Sequence, residues 1–246
     1  MPNTKQEFTI GDNIYSVLKN NIIELMIKPG ETISIKDIST QLNVGRSPVR
    51  DALIKLEKEG LIKSMPQKGT MIAKIDMERV QEEQYLRECL EEKTIYLFMK
   101  MHEKSDIGKL KKIYEKQKQC VAKMDSRRFL QYDEDFHEIF YQVAGKPLCW
   151  QTIQSMSGHY RRIRLLSLLE ENILTNVLVQ HEQIITLIEE NKTEELIELI
   201  HDHVTRLKTE ELDLHHKYPE LFENINFRTE NTTGLLKKDF LNMIKK

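Results

Sequence analysis

Four residues in the second half of the chain have the types and spacing to hold a cation. Asp133 and His137 are four apart, so a helix places them on one face. That face also carries Leu130, Phe140, Tyr141 and Ala144, and a carboxylate on an apolar stripe is costly unless it is paired or metal-bound. His181 falls on the stripe of Val177, Leu178, Ile185 and Ile188, and His203 on that of Leu196, Leu199, Ile200 and Leu207; His201 points elsewhere. Three helices thus each turn a ligand inward. One carboxylate and three imidazoles suit a divalent transition metal, zinc first, with nickel and manganese as alternatives, and leave positions open for a further ligand. The competing interpretation is structural, because a histidine on an apolar face is commonly a core residue bonded to a carbonyl.

Arg87 lies on the stripe of Val80, Leu90, Thr94 and Phe98. A buried arginine wants an anion, either a ligand carboxylate or a core glutamate. Of Arg161, Arg162 and Arg164, one is expected at the pocket and two on a solvated face. Tyr132, Tyr141 and Tyr160 are core side chains or pocket walls.

A second constellation stands at residues 45–60. Arg46, Ser47 and Arg50 sit at the entrance of a short helix whose buried side is Ala52, Leu53 and Leu56, with Leu61 beyond. Ser47 is expected as its N-cap and Pro48 as its first helical residue. An arginine at a helix tip can grip guanine in the major groove bidentately, and the helix N-terminus itself favours phosphate. Lys68 and Gly69 at a hairpin tip are expected to meet the DNA minor groove or backbone. Lys36, with Thr40, is expected to meet phosphate.

The elements that must position these groups follow from periodicity. A first helix is predicted over 12–27, stopped by Lys28-Pro29-Gly30. A second opens at Ser34, with Asp37 completing a capping box, and runs to about Leu42. The third spans 47–59. Two strands, 61–64 and 70–73, then enclose a turn at 65–69, which together make a winged helix-turn-helix. Asp76 is expected to cap the next helix, with Ile75 and Val80 as a hydrophobic staple. Helices are predicted near 77–101, 106–123, 126–144, 148–169, 172–190 and 194–216, with Asp125 and Thr193 as caps. The fold class is therefore mainly α: a winged helix-turn-helix domain over 1–75, an all-α bundle over 76–217, and a polar tail over 218–246 whose composition suits either partial disorder or a terminal helix of Leu235, Leu236, Phe240, Leu241 and Ile244.

Composition agrees with a mostly helical protein: 246 residues with only 9 Gly and 6 Pro. No apolar run approaches the roughly 18 residues that cross a bilayer, and residues 1–9 lack a secretory apolar core. Three scattered cysteines, Cys89, Cys120 and Cys149, read as reduced thiols of a cytoplasmic protein. Residues 1–75 hold 11 Lys and Arg against 8 Asp and Glu, and the remainder 26 against 31. A basic front and an acidic rear suit a nucleic-acid-binding module joined to one that binds something else.

The run Val44-Gly45-Arg46-Ser47-Pro48-Val49-Arg50-Asp51-Ala52-Leu53, with Leu56, Glu59-Gly60-Leu61 and Lys68-Gly69-Thr70, resembles the GntR family of bacterial transcription regulators across the whole N-terminal domain. Gly45 departs from the Ser or Thr often found before the arginine, which removes one hydroxyl from the phosphate contacts. Ser47 and Asp51 stand in for Thr and Glu. Residues 76–217 resemble the helical FCD-type domain of the FadR subgroup, and Asp133-x-x-x-His137, His181 and His203 match its metal-binding pattern in order and separation. The resemblance implies a metal that helps hold a small carboxylate-bearing effector in the bundle.

These residues predict a ligand-responsive regulator. A homodimer would set two recognition helices ~34 Å apart on a pseudo-palindromic operator. Two rivals remain at this stage. One is a metal-dependent hydrolase with a DNA-binding appendage, disfavoured because no helix carries His-Glu-x-x-His. The other is a DNA-binding dimer without metal or ligand.

Overall fold

The computed structural model describes residues 9–65 and 69–223. Helix α1 (Ile10–Ile23) opens with a reciprocal capping box between Thr9 and Asp12. It ends earlier than the proline predicts. Leu25 takes φ 57, its N–H reaches the Ile22 carbonyl, and the Met26 N–H reaches that of Asn21. This double closure satisfies the last carbonyls, usually with glycine at the left-handed position. Here a leucine occupies it, with its side chain packed on two clusters of the helical domain.

Helix α2 (Ile35–Leu42) is capped by Ser34, whose hydroxyl accepts from the Asp37 N–H. Asn43, left-handed at φ 50, turns the chain into α3 (Arg46–Lys58). Strands β1 (Thr32–Ile33), β2 (Ile62–Met65) and β3 (Gly69–Ile72) form an antiparallel sheet in the order β1-β3-β2, with Thr32 opposite Met71 and Ile62 opposite Ile72. The two-residue β1 is too short for alternation to reveal. Ile14, Leu18, Ile22, Ile38, Val49, Leu53 and Leu56 bury one face of each helix against Ile62 and Ile72 of the wing.

Beyond the wing, α4 (Met77–Met101), α5 (Lys104–Lys123) and α6 (Ser126–Val143) fall where the pattern places them. Asp76 caps α4 and Asp125 caps α6. Ile75 and Val80, both fully buried in one cluster, form the staple. The helix expected over 148–169 is two, α7 (Pro147–Met156) and α8 (Gly158–Leu168). The break has a tertiary cause: the Glu83 carboxylate on α4 accepts the His159 and Tyr160 N–H groups at 2.9 and 2.8 Å, capping α8 from another helix. A Cβ on Gly158 would lie 2.6 Å from the Leu61 side chain, so any other residue there would force Leu61 to shift.

Helix α9 (Ile173–Glu189) is followed by α10 (Thr193–Thr205). The helix predicted to reach 216 instead tightens into a 3-10 turn at Arg206–Thr209 and resumes as α11 (Glu211–Lys217). Thr193 is the first helical residue and not a cap; Lys192 holds that position without a side-chain bond. Of the polar tail, residues to Glu223 are described, and Phe222 is buried beside Ile75, which it bridges. The helix expected around 235–244 lies outside the described residues.

The wing and the bundle meet at α8. His159 Nδ1 accepts from the Asp76 N–H at 3.0 Å and from Arg162 at 3.1 Å, so its Nε2 proton is donated to the Gly60 carbonyl at 3.1 Å. Arg162, fully buried, also reaches the Ala73 carbonyl at 2.6 Å. The expectation that two of the three arginines on this helix face solvent therefore fails: Arg162 and Arg164 are both buried.

Burial, with Arg162 and Arg79 nearby, depresses His159 to about 2. Between that value and its ordinary 6.5 the unfolded chain holds the extra proton, so stability is complete above 6.5 and falls as pH drops below it, by about 1.4 kcal/mol per unit. Burial raises the adjacent Glu83 to about 7, which works in the opposite sense. Comparison with His159→Gln isolates the imidazole. Urea unfolding at pH 7.5 and 5.5 is expected to show the wild type losing about 1 kcal/mol more than the variant. Equal losses would mean that His159 is not held neutral.

Candidate metal centre and nucleic-acid interface

Asp133 and His137 on α6, His181 on α9 and His203 on α10 converge. One ligand atom from each lies within 4.8 Å of all the others. His137 Nε2 and His203 Nε2 are 3.1 Å apart. The Asp133 carboxylate lies 3.9 Å from the first of these and 3.5 Å from His181 Nε2. All four side chains are buried, His137 and His181 completely.

The outer ring nitrogens fix the tautomers. His137 Nδ1 faces Glu91, an ionised carboxylate that can only accept, so Nδ1 carries the proton. His181 Nδ1 meets Gln117 Oε1 at 2.8 Å and His203 Nδ1 meets Gln180 Oε1 at 2.9 Å. Each imidazole thereby presents an Nε2 lone pair to the centre. Second-sphere acceptors orient metal-bound histidines in this way. His181 Nε2 is buried without a hydrogen-bond partner among the described residues, a cost of about 1–3 kcal/mol that a cation would remove.

Burial lowers His181 to about 3 and holds His203 well below its ordinary value, so both are neutral at pH 7, the form that binds metal. Burial alone would raise Asp133, but the Arg164 guanidinium keeps it well below the usual carboxylate range. Donor set, charge and protonation state all fit a divalent transition metal.

Beside the cluster lies a small cavity of about 20 Å³, bordered by Arg87, Asp133, Tyr160, Arg164, His203 and Arg206 among others. Arg87 bonds Glu91 through Nε at 2.9 Å, which meets the core-glutamate alternative, yet its Nη2 is buried and, among the described residues, unpartnered, as is Arg206 Nε. Arg164 pairs with Asp133. Two buried N–H donors without acceptors at one cavity favour an anion. Tyr160 lines the cavity, Tyr141 is in the core, and Tyr132 is partly buried.

In the other domain, Arg46 and Arg50 are exposed at the N-terminal end of α3. Ser47 is not the cap: Gly45 takes that place without a side-chain bond, and the helix starts one residue earlier than predicted. Glycine fits the extended cap backbone, and the exposed Ser47 hydroxyl is left free. Pro48 then falls third in the helix, where its missing N–H is still among the four without intrahelical partners. Lys36 is exposed on α2. Gly69, at φ 93, lies close to the Ile33 carbonyl where β3 begins. Lys68 lies outside the described residues.

Comparison with known proteins decides what carries these two sites. Residues 10–72 match the bacterial regulatory proteins of the gntR family, and residues 85–206 match the FCD domain. The HTH-type transcriptional repressor RspR of Escherichia coli is 31% identical over 158 residues, covering 64% of this chain and 69% of that protein. The chain belongs to the GntR family and carries an FCD domain. The regulator shares its fold with E. coli McbR/YncC, at a TM-score of 0.70 and 17% identity over 86% of this chain and 99% of that one. A GntR regulator from Rhodococcus sp. RHA1 gives 0.71 and 18% over 85% and 98%. It is a DNA-binding transcription regulator of GntR/FCD type, and its relatives are regulators, not enzymes, which removes the hydrolase alternative. Among the described residues no helix is long and apolar enough to cross a membrane.

Sequence patterns missed the outer layer of the candidate metal cluster. Glu91 lies four residues after Arg87 on the same stripe, and Gln117 is a polar residue on the Leu110, Ile113, Cys120 face of α5. Both signals were legible. Arg164 was not, because the break at Ser157 resets the phase of its helix.

Proposed function

We propose that this regulator is a cytoplasmic homodimer whose operator affinity responds to a small organic acid held with a divalent metal in the FCD bundle. Asp133, His137, His181 and His203 would hold the metal. The carrying observation is the convergence of three Nε2 lone pairs and one ionised carboxylate, with every outer nitrogen committed to an oxygen acceptor. A bound metal supplies Lewis acidity and open coordination positions suited to carboxylate oxygen. Arg87, through its unpartnered Nη2, binds the effector carboxylate, with Arg164 at the same wall. Arg46, Ser47 and Arg50 contact the operator from α3, supported by Lys36, Lys68 and Gly69.

Calorimetric titration of the metal-loaded and chelator-treated protein with two- to six-carbon carboxylates tests the effector assignment. Binding is expected only when metal is present, and to weaken at least tenfold in Arg87→Met, in line with the value of a charge-assisted bond. Undiminished carboxylate binding after chelation would contradict it.

A further inference from the structure

The outer face of α4 carries a sequence that is complementary to itself when reversed. Of its nine exposed residues, Gln81 and Met101 lie to either side of one face that the other seven share, at 78, 82, 85, 89, 93, 96 and 100. At about 100° per residue these positions fall within an arc of roughly 80° along a helix about 37 Å long. Spacings of three and four along one face suit a second helix packed nearly antiparallel. The order of the spacings is a palindrome centred on Cys89.

If the same face of a second copy is laid against it antiparallel, Cys89 meets Cys89 and every other position meets a fitting chemistry. Glu78 faces Lys100, an ion pair. Tyr85 faces Lys93, a cation over an aromatic ring. Glu82 faces Tyr96, an acceptor for the phenol proton. Each pairing occurs twice by symmetry, as an isologous contact requires. Among the described residues, Glu78, Glu82, Lys93 and Lys100 form no ion pair within the chain, while Lys100 Nζ lies 4.0 Å over the Tyr96 ring. Tyr85 is 66% and Tyr96 47% exposed, and tyrosine is a residue type enriched in interfaces.

We infer that the outer face of α4 docks on the same face of a second copy of this chain, antiparallel, with the two-fold axis passing beside Cys89. The inference rests on the homodimer proposed above and assigns its surface. It also places α4 between the interface and the metal centre, since Arg87 and Glu91 occupy the opposite side of the same helix.

Full-length protein treated with diamide, under native conditions, tests this directly. Diamide takes up the two electrons and two protons released as two Cys89 thiols form one S–S bond. Rapid conversion to a disulfide-linked dimer is expected in wild type and in Cys149→Ser, and none in Cys89→Ser, whose small replacement leaves the surface intact. Glu78→Lys and Lys100→Glu are each expected to weaken the dimer roughly tenfold by sedimentation, through like charges met twice, and the double variant to return near wild type. A dimer that neither cross-links through Cys89 nor responds to the single reversals would overturn this surface while leaving the homodimer standing. A monomer at all concentrations would overturn both.

Discussion

Arg46→Ala is expected to erase the regulator's preference for its operator while leaving its oligomeric state and non-specific DNA binding in place. Arg46 is the first residue of α3 and is exposed, and among the described residues its side chain makes no hydrogen bond or ion pair. A bidentate arginine–guanine contact contributes about 1–3 kcal/mol of discrimination. The proposed dimer, reading two half-sites, would lose it twice, about 2–6 kcal/mol in total. Gel shifts on operator and scrambled duplexes at one fixed salt concentration measure the ratio, since phosphate contacts alone set the salt-dependent remainder. A variant that still prefers the operator would show that base readout lies elsewhere than at the tip of α3.

The second large effect is at the bundle. His181→Ala removes the imidazole whose Nε2 has no other partner and whose ring stacks on Phe136 at 4.4 Å. Metal affinity is expected to fall by more than the ten- to hundredfold typical of losing a second-sphere partner. Gln117→Ala, which removes the acceptor of His181 Nδ1, is expected to fall within that range. Because metal binds the folded state selectively, chelator should lower the melting temperature of wild type and leave that of His181→Ala unchanged. A chelator shift equal in both proteins would remove His181 from the ligand set.

The fold was largely legible because its local signals agree with its packing. Ser34, Asp76 and Asp125 cap the helices expected of them, and α4 begins and ends at the predicted residues. Two of the misses share a cause, which is that a distant group acts where the local signal was weak. Glu83 caps α8 from another helix, at a break whose local mark is only the Ser157-Gly158 pair inside a helical pattern. Leu25 closes α1 against the helical domain, five residues before the glycine that marks a turn in sequence. At the candidate site, helical spacing was enough to select Asp133, His137, His181 and His203. It could not supply the pairing of Arg164 with Asp133, which joins residues on helices whose relative phase depends on that unseen break. Nor could it show that Arg87 both pairs with Glu91 and keeps one nitrogen free.

Native mass spectrometry of the full-length protein tests the central claim most directly, with wild type compared against His137→Ala before and after denaturation. The account predicts one divalent transition metal per wild-type chain in the native spectrum, lost on denaturation and absent from the variant. A wild-type chain that carries no metal after incubation with zinc, nickel or manganese, or a variant that keeps it in full, would contradict the account.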